Sequence, residues 1–158
     1  MSSLYLHIPY CQRKCGYCDF FSQVPGSVAE LDEYVQLLQR ELSLLRQQSP
    51  RPPLETVFIG GGTPSLLSAR QIGELLLQLE SCFGFRPDCE ISLEANPGSL
   101  TAEKLAGYRN AGINRLSLGV QSLCDDSYSV SVAAILRKMP ARPSAWHAMP
   151  TSPISALT

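Results

Sequence analysis

The chain of 158 residues has no apolar run approaching the roughly 18 residues of a membrane-spanning helix, so no membrane span is expected. Charge of one sign is also lacking in excess. Thirteen Lys and Arg against fourteen Asp and Glu leave a net charge of -1, which gives no broad basic field for nucleic acid. The N-terminus opens Met-Ser-Ser and passes directly into a strand-like run, without the basic stretch, apolar core and cleavage site of a secretory signal, so the expected location is cytoplasmic. In a reducing compartment the six cysteines are not read as a disulfide framework. Cys82, Cys89 and Cys124 are scattered and read as small buried hydrophobes.

A further absence is local. After Asp126 the chain contains no Asp, Glu or Gly, although all fourteen acids and all eleven glycines lie before it. Prolines and scattered Ser and Ala leave only "VSVAAILRK" as a candidate element there. Residues 1–126 are therefore read as the structured part. Residues 127–158 are read as an atypical tail, poorly ordered or non-native, of the kind a change of reading frame produces.

What is present is an alternating pattern. Leu4, Leu6 and Ile8 alternate with Tyr5 and His7 as in a strand, which Pro9 ends. Ser27 with Glu30 forms a capping-box pattern ahead of an apolar stripe through Leu31, Val35, Leu38, Leu42 and Leu45, predicting a helix to about Gln48. "LETVFIGGG" is a second strand entering a glycine turn. Ser68 and Gln71 form another capping box, with Leu67 and Ile72 spaced as a hydrophobic staple, before a helix to about Phe83. Cys89 to Asn96 is the third strand. Thr101 caps a third helix that Gly112 closes, and "NRLSLGVQS" is the fourth strand.

Four strands separated by three helices in units of about thirty residues predict an α/β chain with parallel crossovers. Val57, Ile59, Ile91, Leu93, Leu116 and Leu118 share one face, while Phe58, Gly60, Ser92, Glu94, Ser117 and Gln121 share the other. A flat sheet covered on both faces would be apolar on both. One mixed face suits a curved, incomplete (β/α) partial barrel with its chemistry at the C-terminal strand ends, where Tyr5, Gly60, Glu94 and Gln121 fall.

The run "CQRKCGYC" places Cys11, Cys15 and Cys18 in one short loop. Three chemistries compete for it. Structural zinc takes four closed ligands, and His7 is the nearby candidate for the fourth. Uncoordinated thiols are the bland alternative. An iron-sulfur cube on three thiolates would leave one iron open for a reactive ligand.

The run, with an aromatic residue before its third cysteine, resembles the radical S-adenosylmethionine (SAM) superfamily. "LYLHIPYC", "VFIGGGTPSLL", "ISLEANPGSLT" and "GINRLSLGVQS", in this order, resemble its oxygen-independent coproporphyrinogen III oxidase group, above all the HemW-like, heme-chaperone branch. The resemblance covers about residues 3 to 126. It implies a 4Fe-4S cluster on Cys11, Cys15 and Cys18, with SAM completing the coordination. It also implies SAM contacts from Tyr5, Tyr17, Gly61, Gly62, Thr63, Glu94 and Gln121. On physical grounds the glycine turn is expected to let backbone approach that ligand closely and to aim N–H groups at it. Arg13 and Lys14 either hold the loop in water or favour thiolates.

Two departures separate the branches. The oxidases carry a further cysteine two residues after the third, where this chain has Phe20, and they carry a longer N-terminal extension. Both departures point to the HemW-like branch, whose ligand is heme and whose implied partners are a flavodoxin- or ferredoxin-like electron donor and a heme-acceptor protein. The alternatives are an oxidase, which would use a SAM-derived radical for oxidative decarboxylation of a porphyrinogen, and a non-functional truncated product. The arginine-containing helix that follows "GVQS" in the family gives way here to the acid-free tail.

Overall fold

The computed structural model describes residues 2–16, 18–48 and 52–119. Its elements run β1 (Ser3–Ile8), α1 (Val28–Gln48), β2 (Leu54–Gly61), α2 (Ala69–Phe83), β3 (Phe85–Ala95), α3 (Ala102–Ala111) and β4 (Arg115–Leu118). Short 3-10 helices at Pro64–Leu66 and Pro97–Ser99 follow β2 and β3. The strands form one sheet in the order β1-β2-β3-β4, with every adjacent pair parallel. Each helix carries the chain back across the same sheet, so every strand lies beside its predecessor, as barrel growth requires.

The sequence caps account for the helix ends. Ser68 accepts from the Gln71 N–H while the Gln71 side chain accepts from the Ser68 N–H, completing the box that starts α2. Thr101 accepts from the Lys104 N–H at the start of α3, and Gly112 closes that helix in the left-handed region at φ 113°. The box at Ser27 is only half formed. Its hydroxyl accepts from the Glu30 N–H, but the Glu30 carboxylate takes the N–H of Gly26, at 2.7 Å, in place of that of Ser27.

The core lies between the helices and one face of the sheet. Val57, Ile59, Ile91, Leu93, Leu116 and Leu118 are buried against Leu31, Val35, Leu38 and Leu42 of α1, Ile72, Leu75, Leu76 and Leu79 of α2, and Leu105 and Tyr108 of α3. The alternation read from the sequence therefore separates a covered face from an open one. Two boundaries differ from expectation. β3 starts at Phe85, four residues before Cys89: Phe85 pairs with Leu54, and the register then shifts so that Thr56 meets Glu90. Pro87 sits in this irregular stretch, beside the exposed pair Arg86 and Asp88, and breaks the period that marks a strand. β4 ends at Leu118, Gly119 still donates its N–H to the Ala95 carbonyl, and residues 120–122 of the expected fourth strand, Gln121 among them, lie outside the described residues. So do Tyr17 and residues 127–158.

Asn114 joins the last two strands. Its amide oxygen accepts from the Ile91 N–H at 2.8 Å and its amide nitrogen donates to the Cys89 carbonyl at 2.8 Å, both buried. No helix among the described residues is long and apolar enough to cross a membrane.

Candidate functional site

Three stretches far apart in sequence converge where the strands end: the loop after β1, the glycine turn after β2 and the last residues of β3. The loop that carries the cysteines is closed at its neck. Cys11 N–H donates to the Gln23 carbonyl at 2.9 Å, and Gln23 N–H donates to the Pro9 carbonyl at 2.8 Å. The neck is held on α1, since Tyr10 meets Tyr34 edge to face at 5.3 Å and the Tyr34 hydroxyl donates to the His7 carbonyl at 2.8 Å. Cys18 N–H donates to the Cys15 carbonyl at 3.2 Å, which turns the far side of the loop. Cys11, Cys15 and Cys18 are free thiols, all half-buried.

The glycine turn packs directly on the first cysteine. A Cβ on Gly62 would stand 2.6 Å from the Tyr10 carbonyl oxygen and 2.9 Å from Cys11 Sγ, so no side chain fits there. Thr63 donates its hydroxyl to Cys11 Sγ at 3.5 Å and its N–H to the Tyr10 carbonyl at 2.7 Å. Gly61, at φ 121°, donates its N–H to Glu94 Oε2 at 3.0 Å, and Gly62 donates to the Ile8 carbonyl at 2.8 Å. The expectation that the turn aims its N–H groups at a ligand is thus not met: all three have acceptors within the protein. What the two glycines allow is the close packing of the turn itself on His7, Ile8, Tyr10 and Cys11.

On the open face Tyr5, Phe58 and Glu94 crowd over Gly60. Tyr5 stacks on Phe58 with ring centroids 6.0 Å apart and shares a 3.0 Å hydrogen bond with His7 Nδ1, yet stays 55% exposed. Partial burial, and then the negative charge of Glu94, hold its phenol above the ordinary tyrosine range. The turn thus lies beside Tyr5, Glu94 and Cys11, while Cys15 and Cys18 occupy the far side of the loop.

Among the described residues no three His, Cys, Asp or Glu side chains gather closely enough to hold one metal ion, and His7 faces Tyr5. That arrangement does not suit a closed tetrahedral zinc, whose ligands meet at a single point. A cube takes each thiolate on a different iron, and the three half-buried thiols of this loop supply that donor set.

Sequence reasoning missed the support behind the turn. Ser65 is fully buried, accepts the Asn96 N–H at 3.1 Å and pairs with the Ser99 hydroxyl at 2.5 Å. Tyr108 and Lys104 reach its carbonyl from α3. A lone Ser after a glycine turn carries no local signal of this role.

Comparison with known proteins agrees with this architecture. The heme chaperone HemW of Haemophilus influenzae is 45% identical over 128 residues, covering 78% of this chain and 33% of the relative, and that of Escherichia coli is 43% identical over 124 residues. The chain spans about a third of the length of the curated relatives it matches. The solved structure of coproporphyrinogen III oxidase (HemN) from Escherichia coli, described as a radical SAM enzyme, superposes with a TM-score of 0.75 at 31% identity over 85% of this chain and 33% of that one. The four parallel strands and three helices are thus part of a (β/α) barrel of that type. A family model for the radical SAM superfamily matches residues 5–147, from the first strand through the cysteine loop, the glycine turn and the third and fourth strands, and the chain belongs to that superfamily.

Proposed function

We propose that the chain is the cluster- and SAM-binding part of a HemW-like heme chaperone. Cys11, Cys15 and Cys18 hold a 4Fe-4S cluster. Gly61, Gly62, Thr63, Glu94 and Tyr5, with Tyr17 and Gln121, line the SAM site. The motifs of this core lie within residues 1–126. The observation that carries the reading is the contact of Thr63 and Gly62 with Cys11, since it joins the glycine turn to a sulfur at the open strand ends. When bound, the cluster supplies the reducing power for SAM chemistry. The protein positions that chemistry: the neck at Gln23 fixes Cys11, the glycine turn packs closely against it, and Glu94 holds the turn through Gly61.

The cargo is heme, the partners are a flavodoxin- or ferredoxin-like donor and a heme-acceptor protein, and the setting is cytoplasmic. Coproporphyrinogen oxidation is the second reading, favoured by the HemN structure. HemW relatives at 43–45% identity, against 31% for HemN, and Phe20 in place of the further oxidase cysteine support the chaperone instead.

Anaerobic reconstitution with iron and sulfide tests the site. Four irons per chain, with an electron paramagnetic resonance (EPR) signal after dithionite reduction that changes on adding SAM, is the expected result, and Cys15→Ala should abolish it. A chain that binds one zinc tightly and never takes up four irons overturns the reading.

A further inference from the structure

Thr63 stands at the N-cap of the 3-10 helix Pro64–Leu66, yet its side chain makes no cap hydrogen bond. The hydroxyl points to Cys11 Sγ instead. The helix start therefore gives up the support that a threonine at this position normally provides. Compensation comes from behind, on α3. The Tyr108 hydroxyl is shared between the carbonyls of Leu67, at 2.5 Å, and Ser65, at 3.1 Å, which bracket the end of the 3-10 helix. The Lys104 ammonium donates to the same Ser65 carbonyl and lies 5.9 Å from the centre of the Tyr108 ring. Tyr108 is 1% exposed, so a phenylalanine would fill its space; the hydroxyl adds only its hold on the loop.

We infer that Tyr108 is a positioning residue for the cluster and SAM site. From α3 it fixes the segment Ser65–Leu67, and so keeps the Thr63 hydroxyl on Cys11 and preserves the shape of the Gly61–Thr63 turn. The inference rests on the function proposed above. Hydrogen bonds around a cluster sulfur tune the cluster, and the groups that orient them matter nearly as much as the ligands.

The test uses the full chain, reconstituted anaerobically, as wild type, Tyr108→Phe, Lys104→Met and Leu79→Val. The last opens a small cavity in the α2 core, away from the loop. Iron per chain is measured, the SAM-dependent EPR change of the dithionite-reduced chain is titrated, and the Tm of each chain is recorded. Tyr108→Phe and Lys104→Met, each of which removes a donor from α3 to the Ser65 carbonyl, should bind iron as the wild type does but need about three- to tenfold more SAM, as expected for losing one or two net hydrogen bonds at the loop. Leu79→Val should lower Tm and leave the SAM titration unchanged. Should Tyr108→Phe fail to fold, Lys104→Met tests the same hold of α3 on the Ser65 carbonyl. A Tyr108→Phe chain, or in its place a Lys104→Met chain, that titrates like a SAM-responsive wild type overturns this inference alone, as does a Leu79→Val chain shifted equally at equal loss of Tm. A wild type that takes up no cluster, or whose cluster ignores SAM, overturns the site reading and this inference with it.

Discussion

The Thr63 hydroxyl donates to Cys11 Sγ at 3.5 Å, joining side chains fifty-two residues apart. Parallel pairing makes the meeting possible, since β1 and β2 end side by side with Ile8 opposite Gly61. Loops leaving the same end of adjacent parallel strands are neighbours in space.

Gly62→Ala should disrupt this meeting, because the new methyl group would overlap the Tyr10 carbonyl and crowd Cys11 Sγ. The backbone oxygen cannot swing aside as a flexible side chain could. Cluster uptake, counted as iron and sulfide per chain, should fall well below that of Gly62 protein, and Tm should drop. Uptake equal to wild type would show that the turn is not seated on the cysteine as described.

Asn114→Ala removes a side chain that pairs with two buried backbone groups of β3, the Ile91 N–H and the Cys89 carbonyl. Each unpaired buried group costs about 1–3 kcal/mol, so a loss of roughly 2–6 kcal/mol is expected in urea unfolding. Asn114→Asp keeps the acceptor but buries a carboxylate against the Cys89 carbonyl, and should cost at least as much as Asn114→Ala.

Stability should decline on the alkaline side. Burial, and then the charges of Asp88 and Glu90, push the Cys89 thiol up to about 11. The unfolded thiol ionises near its ordinary value of about 8.5, so above that pH the unfolded chain loses a proton that the folded chain keeps. The stability Cys89 contributes is complete below about pH 8.5 and is lost as pH rises through 11. Burial raises Tyr108 as well, which adds to the loss at still higher pH. Melting curves between pH 8 and 11 should show a smaller decline in Cys89→Ala; an identical decline would remove Cys89 as a cause.

Coproporphyrinogen decarboxylation should be absent even with cluster and SAM supplied, since Phe20 stands where the oxidases carry a further cysteine. Carbon dioxide release above a no-protein control, and lost in Cys11→Ala, would reassign the chain to the oxidases.

The parts of the fold that were legible in the sequence are those set by local chemistry. Ser68 with Gln71, Thr101 and Gly112 mark helix ends because a cap needs only its own neighbours. The alternation of Ile91, Leu93 and Glu94 gave the two faces of β3, because strand parity needs only a period of two. Phe85 was missed as a strand start because Pro87 hides the period, although the pairing partner Leu54 lies on another strand. In the site, the cysteine spacing and the glycine turn were visible. The pairing of every N–H in that turn was not, because the acceptors Glu94, Ile8 and Tyr10 come from other segments. The support from Tyr108 and Ser65 stayed hidden for the same reason: it is a tertiary contact with no periodic trace.

The strand order β1-β2-β3-β4 has a consequence for synthesis. Every strand pairs with one already made, so a nascent chain leaving the ribosome can dock each unit in turn without waiting for a distant partner. The neck at Cys11 and Gln23 closes within the first unit, and the glycine turn reaches Cys11 as soon as β2 docks. Every one of these contacts to the sulfur-bearing loop comes from residues translated before α3, which secures the turn from behind. Delivery of iron and sulfide before α3 is made would meet a loop already closed at its neck but a turn still free to move.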